Sequence, residues 1–490
     1  MNHCLLFNTY RHARTSGMHR IATHLRQQNW DVECIDFASL WSLDELQSLT
    51  QSRINKNTKF IAFSLLFDEA WEPHLTEFCA WIKSSYPDMV IVSGGQGVGT
   101  RDQSVPIDYH ISGYGEYGLD ALLAYKFSNG PRPKFKLALG SKKVIETLHH
   151  YPAYPFRDPM ITYENRDFLD PEEWLGIEFS RGCKFHCDFC NFPVLGVKGD
   201  YTRTVKSFKA HLTNAYERFG ITNYYVSDET FNDRTEKITK FADVVESLSW
   251  RPYFTGYIRA DLMVRRPQDR IELLRMNFLG HYYGVESFNN NSAKAVGKGM
   301  NSAELQQGLV DCKTYFQKNS NNLYRGTIGL IVGLPHETIE SLDQNLDWLN
   351  HNWSDQSIKS FPLHIIDDEL SRPSKMSLDY KKYGYEAINS DSVPSIYVAN
   401  KVINWKSKWM DMQTATVYSK LLDSTVMGKR HDAFGLSRIY ETSNGQLATL
   451  RQKLHGEYSK RIASGPDNKN LTHSLFVKNY IAKKLNWVKG

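Results

Sequence analysis

The sequence predicts an α/β protein built from an N-terminal, Rossmann-like doubly wound sheet, a partial (β/α)6 barrel and a mainly helical C-terminal cap. Two stretches in which short apolar runs alternate with amphipathic helical patterns, residues 1–130 and 171–366, predict the first two parts. Loss of that rhythm from residue 367 to residue 490 predicts the third.

Within 1–130, the runs His3–Asn8, Val32–Phe37, Phe60–Phe67, Met89–Ser93 and Tyr109–Ser112 read as buried strands, separated by helical patterns such as Met18–Gln28 and Pro73–Ser85. Strands that alternate with helices pair in parallel, and the loops after their carboxyl ends form the ligand crevice. Those loops hold Ser64, the turn Ser93-Gly94-Gly95-Gln96-Gly97, and Gly113-Tyr114-Gly115-Glu116. Glycines there let backbone approach a flat ligand or a phosphate, although any such sheet also needs tight turns. Residues 131–170 read as an extended linker, because Pro131, Pro133, Pro152, Pro155 and Pro159 fall among aromatic and basic residues.

The second alternation supplies strand candidates Leu175–Ser180, Asn223–Ser227, Tyr253–Tyr257, His281–Val285, Thr327–Val332 and Phe361–Ile366. Helical patterns at Ser207–Phe219, Thr235–Ser247, Gln268–Met276, Ser302–Gln317 and Thr338–Asn350 lie between them. Six such repeats predict an incomplete barrel whose site lies at the carboxyl ends of its strands. Beyond it, the aromatic stretch Ile396–Thr425 reads as helical, and fits either a cap that shields the barrel mouth or ordinary core packing.

Composition bounds the function. No apolar run is long enough to span a bilayer and the N-terminus lacks a secretory signal pattern, so a cytoplasmic location is expected. Residues 451–490 carry nine Lys or Arg and two acidic residues, a net +7 against −2 for the rest. The body is therefore not expected to bind nucleic acid, while the tail (Lys453, Lys460, Arg461, Lys469, Lys478, Lys483, Lys484, Lys489) reads as a solvated helix face or as a polyanion contact.

The chemistry is concentrated in Ser180-Arg-Gly-Cys183-Lys-Phe-His-Cys187-Asp-Phe-Cys190, directly after the first barrel strand. Three thiolates in the pattern Cys-x3-Cys-x2-Cys can wrap one loop around a [4Fe-4S] cluster and leave one iron open. A zinc site is the competing reading, with His186 as fourth ligand, but four ligands within eight residues would strain a tetrahedron. Cys4, Cys34, Cys79 and Cys312 are scattered in apolar runs and read as buried thiols.

The cysteine loop resembles that of the radical S-adenosylmethionine (SAM) superfamily, in which the open iron chelates SAM and an electron from the cluster cleaves it to a 5′-deoxyadenosyl radical. Further motifs follow in the family's order. Phe189 stands where an aromatic residue packs near adenine. Ser227-Asp228-Glu229-Thr230-Phe231 resembles the acidic pair close to SAM, with a helix-cap role as the alternative. Arg259 in Gly256-Tyr-Ile-Arg-Ala-Asp261, Glu286 and Ser287 in Gly284-Val-Glu-Ser287, and Gly333 in Gly329-Leu-Ile-Val-Gly-Leu-Pro-His-Glu-Thr338 match SAM-contacting positions. His336 stands where the family commonly has glycine, which leaves that turn's geometry open.

The N-terminal part resembles the cobalamin-binding domain of one large subclass. The resemblance is carried by Lys59-Phe-Ile-Ala-Phe-Ser64, Trp81-Ile-Lys83, Tyr86-Pro87, Val90-Ile-Val-Ser-Gly-Gly95 and Gly115-Glu116. It implies cobalamin contacts at Ser64, Ser93, Gly94, Gly95, Gly115 and Glu116. The stretch Asn191-Phe-Pro-Val-Leu-Gly196 and Tyr201-Thr-Arg203 is similar to the subclass sequence after the cluster, and Arg203 can bind an acidic group or form a surface ion pair.

The resemblance implies a cobalamin-dependent methyltransferase acting on an unactivated carbon of a small molecule or peptide, with an electron donor such as flavodoxin or ferredoxin. Radical rearrangement, cyclisation or dehydration without methyl transfer is the alternative, with the cobalamin-like domain left empty. A tRNA methylthiotransferase would need three cluster cysteines in its N-terminal domain, and Gln96 stands where one would lie. An iron–sulfur or cobalamin sensor would have no need of the SAM motifs.

Overall fold

The computed structural model describes the chain except for residues 12, 66–70, 96–104, 136, 140–141, 148–159, 172, 192–200, 322, 367–372, 395–400, 428–467 and 488–490. Gln96 and Gly97, Pro152, Pro155 and Pro159, the stretch 192–196, and Lys453, Lys460, Arg461 and Lys489 therefore lie outside the described residues.

Strands β1 (His3–Asn8), β2 (Asp31–Ile35), β3 (Thr58–Leu65), β4 (Val90–Gly95), β5 (Tyr109–Ser112), β6 (Leu137–Leu139) and β7 (Lys142–Glu146) form one sheet in the order β2-β1-β3-β4-β5-β7-β6. All neighbours are parallel except β6 with β7. Alternate residues of β1 feed opposite faces: Leu5 and Phe7 join one core, Cys4 and Leu6 the other. Helices Leu43–Arg53 and Pro73–Ser85 cover the first face through Leu46, Leu49, Phe78 and Ile82. Helices Ser16–Gln27 and Gly115–Phe127 cover the second through Met18, Leu25, Leu119 and Leu122. The chain reverses its winding between β1 and β3, so a crevice opens at their carboxyl ends.

Strands β6 and β7 fall inside the stretch expected to be linker. Their alternation is short and lysine-rich, and β7 gains its place by pairing with β5 through Tyr109, His110, Ile111 and Ser112.

Strand β8 (Trp174–Ile177) opens the second unit, and the two-residue β9 (Ser180–Arg181) pairs antiparallel with β10 (Tyr201–Thr202). Strands β11 (Asn223–Val226), β12 (Tyr253–Arg259), β13 (Phe278–Glu286), β14 (Arg325–Val332) and β15 (Ser357–Pro362) complete an all-parallel sheet, ordered β15-β14-β13-β12-β11-β8. Helices from Val205–Phe219 to Ile339–Asn352 return the chain between strands. Phe179, Phe208, Phe241 and Phe254 meet edge to face or tilted in the core, with centroids 4.5 to 6.1 Å apart. The sixth strand runs from Ser357 to Pro362, earlier than the apolar run Phe361–Ile366 predicts, as an edge strand that ends at a proline with no N–H to extend the ladder.

The C-terminal region departs most from expectation. It forms an antiparallel hairpin, β16 (Tyr385–Pro394) with β17 (Lys401–Ser407), and β17 falls inside the stretch Ile396–Thr425 expected to be helical. Helix Met412–Met427 then packs on β15, where Asp423 Oδ1 accepts from the N–H and hydroxyl of Ser360 at 2.7 and 2.8 Å. The basic helix Asn468–Asn486 returns to the first sheet: Val477, Tyr480 and Ile481 join the core of Phe37 and Trp41. Lys478 and Lys483 lie on its solvated face as expected, but Lys484 does not, being fully buried 3.3 Å from Glu33. Arg14 fastens this junction, with Asp36 and Glu173 each at 2.5 Å and the Tyr480 ring centroid 4.7 Å from its guanidinium carbon.

Tyr480→Ala is expected to lower unfolding stability by about 3–5 kcal/mol, from the lost packing of a buried ring. Tyr480→Phe, which keeps the ring and loses the hydroxyl that accepts from the Asp36 N–H and donates to the Cys34 carbonyl, is expected to cost about 1–2 kcal/mol. Urea titration of the full-length variants checks the order, and equal midpoints for all three chains would remove the helix from the fold's support.

Candidate active site

The neck of the cysteine loop is closed by β9 and β10, with Arg181 opposite Tyr201 and Ser180 opposite Thr202. Arg203 locks this neck. Its N–H donates to the Phe179 carbonyl at 2.8 Å, and its buried guanidinium bonds the Glu178 carbonyl and Ser207. Its role here is to hold the loop base, and it is not among the residues lining the cavity described below.

Beyond the neck, Cys183, Cys187 and Cys190 are partly exposed and take part in no disulfide. Three thiols without a fourth protein ligand are the donor set of a [4Fe-4S] cluster with one open iron, each thiolate taking one iron. The Arg259 guanidinium stacks 3.9 Å from the Phe185 centroid and donates to Cys187 Sγ at 3.6 Å. Arg259 is oriented by Asp261 at 2.8 Å and by two backbone bonds to Asn232, which motif reading passed over.

The acidic pair divides its work. Asp228 is buried and accepts from the Phe179 N–H at 2.7 Å and the Ser180 hydroxyl at 2.6 Å, fixing the strand that leads into the loop. Burial pushes its carboxyl up to about 6, against the pull of Lys237 and these donors. Glu229 instead faces a cavity, and burial, with Asp228 and Glu178 nearby, raises it well above the usual carboxylate range.

That cavity, of about 320 Å³, lies between the two sheets' carboxyl ends. The first unit contributes Ser64, Ser93, Gly94, Gly95, Gly115 and Glu116; the barrel contributes Glu178, Ser180, Arg181, Ser227 and Glu229. Gly95, at φ +123, touches β3 so closely that a Cβ would lie 2.1 Å from the Leu65 carbonyl oxygen. Arg181 joins the two walls. It binds Glu116 at 2.9 Å and Glu178 at 3.1 Å, and its guanidinium carbon lies 4.2 Å from the Tyr114 centroid. Burial alone would raise the Glu116 carboxyl, but Arg181 and Arg20 outweigh it and hold it at about 2. The Arg directly preceding Gly182-Cys183 was the available sequence signal for this contact.

Across the barrel mouth, Glu286 adopts φ +68, where the β13–β14 register shifts, and pairs with Lys298 at 3.3 Å. Ser287 donates to Glu337 Oε1 at 2.9 Å, while Glu337 Oε2 accepts from the Gly333 N–H at 2.7 Å. Gly333 itself, at φ +96, has no room for a Cβ beside Trp405. His336 takes φ +68, so the turn keeps a glycine-like conformation with a histidine in it. Phe189 is half-buried against the barrel core. The structure thus arranges Phe189, Arg259, Glu286, Ser287 and Gly333 around the carboxyl ends of the strands, with Glu337 ordering the turn.

Burial raises the Glu337 carboxyl to about 7. Between pH 4.5 and about 7 the folded chain keeps a proton that the unfolded chain releases, so stability falls as pH rises through this window, by on the order of 3 kcal/mol. Urea midpoints measured at pH 5 and pH 8 are expected to show a smaller fall for Glu337→Gln than for the unaltered chain. An unchanged fall would assign the titration elsewhere.

Residues 177–349 match the family model described as the radical SAM superfamily. The hopanoid C-2 methylase of Rhodopseudomonas palustris (strain TIE-1) is 24% identical over 268 residues, 52% of this chain and 46% of that relative, so the match spans about half the relative's length. The radical SAM methyltransferase TsrM from Kitasatospora setae, solved with cobalamin and a [4Fe-4S] cluster, superimposes with a TM-score of 0.62 at 14% identity, covering 99% of each chain. The cobalamin-dependent SAM radical enzyme OxsB, with aqua-cobalamin, gives 0.59 at 14% identity over 99% of this chain and 80% of its own. With its cysteine loop following the first strand of that matched barrel, the chain carries a radical SAM superfamily domain over residues 177–349, and its fold is similar to that of these cobalamin-dependent structures.

Proposed function

We propose that this protein is a cobalamin-dependent radical SAM methyltransferase that methylates an unactivated carbon of a small molecule or peptide. The observation carrying the reading is the cavity between the glycine-lined crevice and the barrel, whose wall residue Arg181 is two residues from Cys183. When bound, the cluster supplies the electron that cleaves SAM, and cobalamin supplies a carrier for the methyl group.

The chain's own residues have separable tasks. Cys183, Cys187 and Cys190 would hold three irons, and the Arg259 donor to Cys187 stabilises thiolate charge. Phe189, Arg259, Glu286 and Gly333 would contact SAM, with Ser287 and Glu337 holding the turn at Gly333. Ser64, Ser93, Gly94, Gly95 and Gly115 offer small walls to the flat face of a corrin, and Glu116 fixes Arg181 at its edge. His110 is buried behind this wall, its Nδ1 2.9 Å from the Ser93 hydroxyl, and is not among the residues lining the cavity. Glu229, whose carboxyl burial pushes upward, faces whatever fills the cavity.

The reading includes a low-potential donor such as flavodoxin or ferredoxin and a cytoplasmic setting. Among the described residues no helix is long and apolar enough to cross a membrane.

Anaerobic reconstitution with iron, sulfide, SAM and a reductant tests it, with 5′-deoxyadenosine and S-adenosylhomocysteine measured with and without cobalamin. Both products are expected with cobalamin and a methyl acceptor, and Cys187→Ala is expected to abolish 5′-deoxyadenosine. Deoxyadenosine without S-adenosylhomocysteine would replace methyl transfer by another radical reaction. Neither product from a fully loaded cluster would overturn the reading.

A further inference from the structure

The barrel is open: β8 and β15 form the two edges of its sheet, with no ladder between them. The cysteine loop follows β8, and the Gly333 turn follows β14, next to the opposite edge. Strand pairing links loop and turn only the long way round, through β11, β12 and β13, and not directly across the gap. A segment of the C-terminal region touches both.

Tyr383 donates its hydroxyl to Asp188 Oδ2 at 2.5 Å, and Asp188 stands between Cys187 and Cys190. Lys375 Nζ reaches the same carboxylate at 3.0 and 3.1 Å, and the Met376 N–H donates to the Asp188 carbonyl at 2.8 Å. Two residues beyond Tyr383, the buried Tyr385 donates its hydroxyl to the Gly333 carbonyl at 2.7 Å. Trp405, on the strand paired with β16, seals that glycine and donates to the Leu363 carbonyl at 2.9 Å. Gly384, at φ +87, turns the chain between the two tyrosines.

We propose that Tyr383 and Tyr385 are positioning residues that set the distance between the cysteine loop and the Gly333 turn, and so the fit of SAM between them. Neither phenol needs to touch a reacting atom. Each fixes one end of the gap, and the rigid Tyr383-Gly384-Tyr385 link sets its width. This inference rests on the proposed function, because it requires a cluster in the loop and SAM against the turn.

The test uses the full chain, anaerobically reconstituted, as Tyr383→Phe, Tyr385→Phe and the double variant. Iron content is measured first, then the electron paramagnetic resonance signal of the reduced cluster is titrated with SAM. Each single variant is expected to keep the iron content of the unaltered chain, while the SAM concentration giving half the spectral change rises about fivefold, as for one lost hydrogen bond. The double variant is expected to shift by less than the product of the two, because both bonds constrain the same distance. Asp188→Asn, which keeps an acceptor for Tyr383, is expected to bind SAM more tightly than Asp188→Ala.

SAM titrations that superimpose on that of a responsive unaltered chain would overturn the inference alone. Iron loss with an unchanged SAM response in the loaded fraction would also overturn it, by reducing the tyrosines to supports of the fold. An unaltered cluster that ignores SAM would overturn the proposed function, and the inference with it.

Discussion

The arrangement turns on one buried cation. Arg181 ends the short strand at the neck of the cysteine loop, and its guanidinium is shared between Glu116 of the first unit and Glu178 of the barrel. A planar, permanently charged group can satisfy two carboxylates and stack on Tyr114 at once, which an ammonium cannot do. Removing it would leave Glu116 buried with Arg20 as its remaining ion-pair partner among the described residues. The cavity and the cysteine loop are in this sense one site, because a single side chain forms the wall of the former and the base of the latter.

A second buried arginine repeats the device away from the cavity. Arg14 links Asp36 at the end of β2 to Glu173 before β8, under the ring of Tyr480. Buried ion pairs add little net stability against apolar packing, but losing one partner costs several kcal/mol, so they favour one relative placement of the two units over others. For a cavity shared between two sheets, that placement is what defines its shape. The C-terminal helix belongs to the same logic: it contributes Tyr480 and Lys484 to the far face of the sheet that carries the crevice.

The elements visible in the sequence were those whose signal is local. Cys183, Cys187 and Cys190 carry their spacing in eight residues, and the buried parallel strands carry their apolar runs in five or six. Gly95 and Gly333 were legible because close backbone approach leaves few other choices. What escaped has its cause elsewhere in the chain. Strand β7 is recruited by β5, Asp188 finds Tyr383 across 195 residues, and Lys484 finds Glu33 across 451. A lysine in a basic tail has the same local signature whether it is solvated or buried against a carboxylate, so composition favoured the wrong environment for Lys484. Asp228 likewise read as a ligand-facing acid, although its oxygens are engaged by Phe179 and Ser180.

The central claim, that cavity and cysteine loop are one site held by Arg181, is tested most directly by Arg181→Lys. The variant would be reconstituted anaerobically with iron, sulfide and cobalamin, and both cofactors counted per chain in the same sample. Retained charge without the planar fork is predicted to lower cobalamin retention several-fold and to reduce cluster content with it. A variant that keeps both at the level of the unaltered chain would contradict the account.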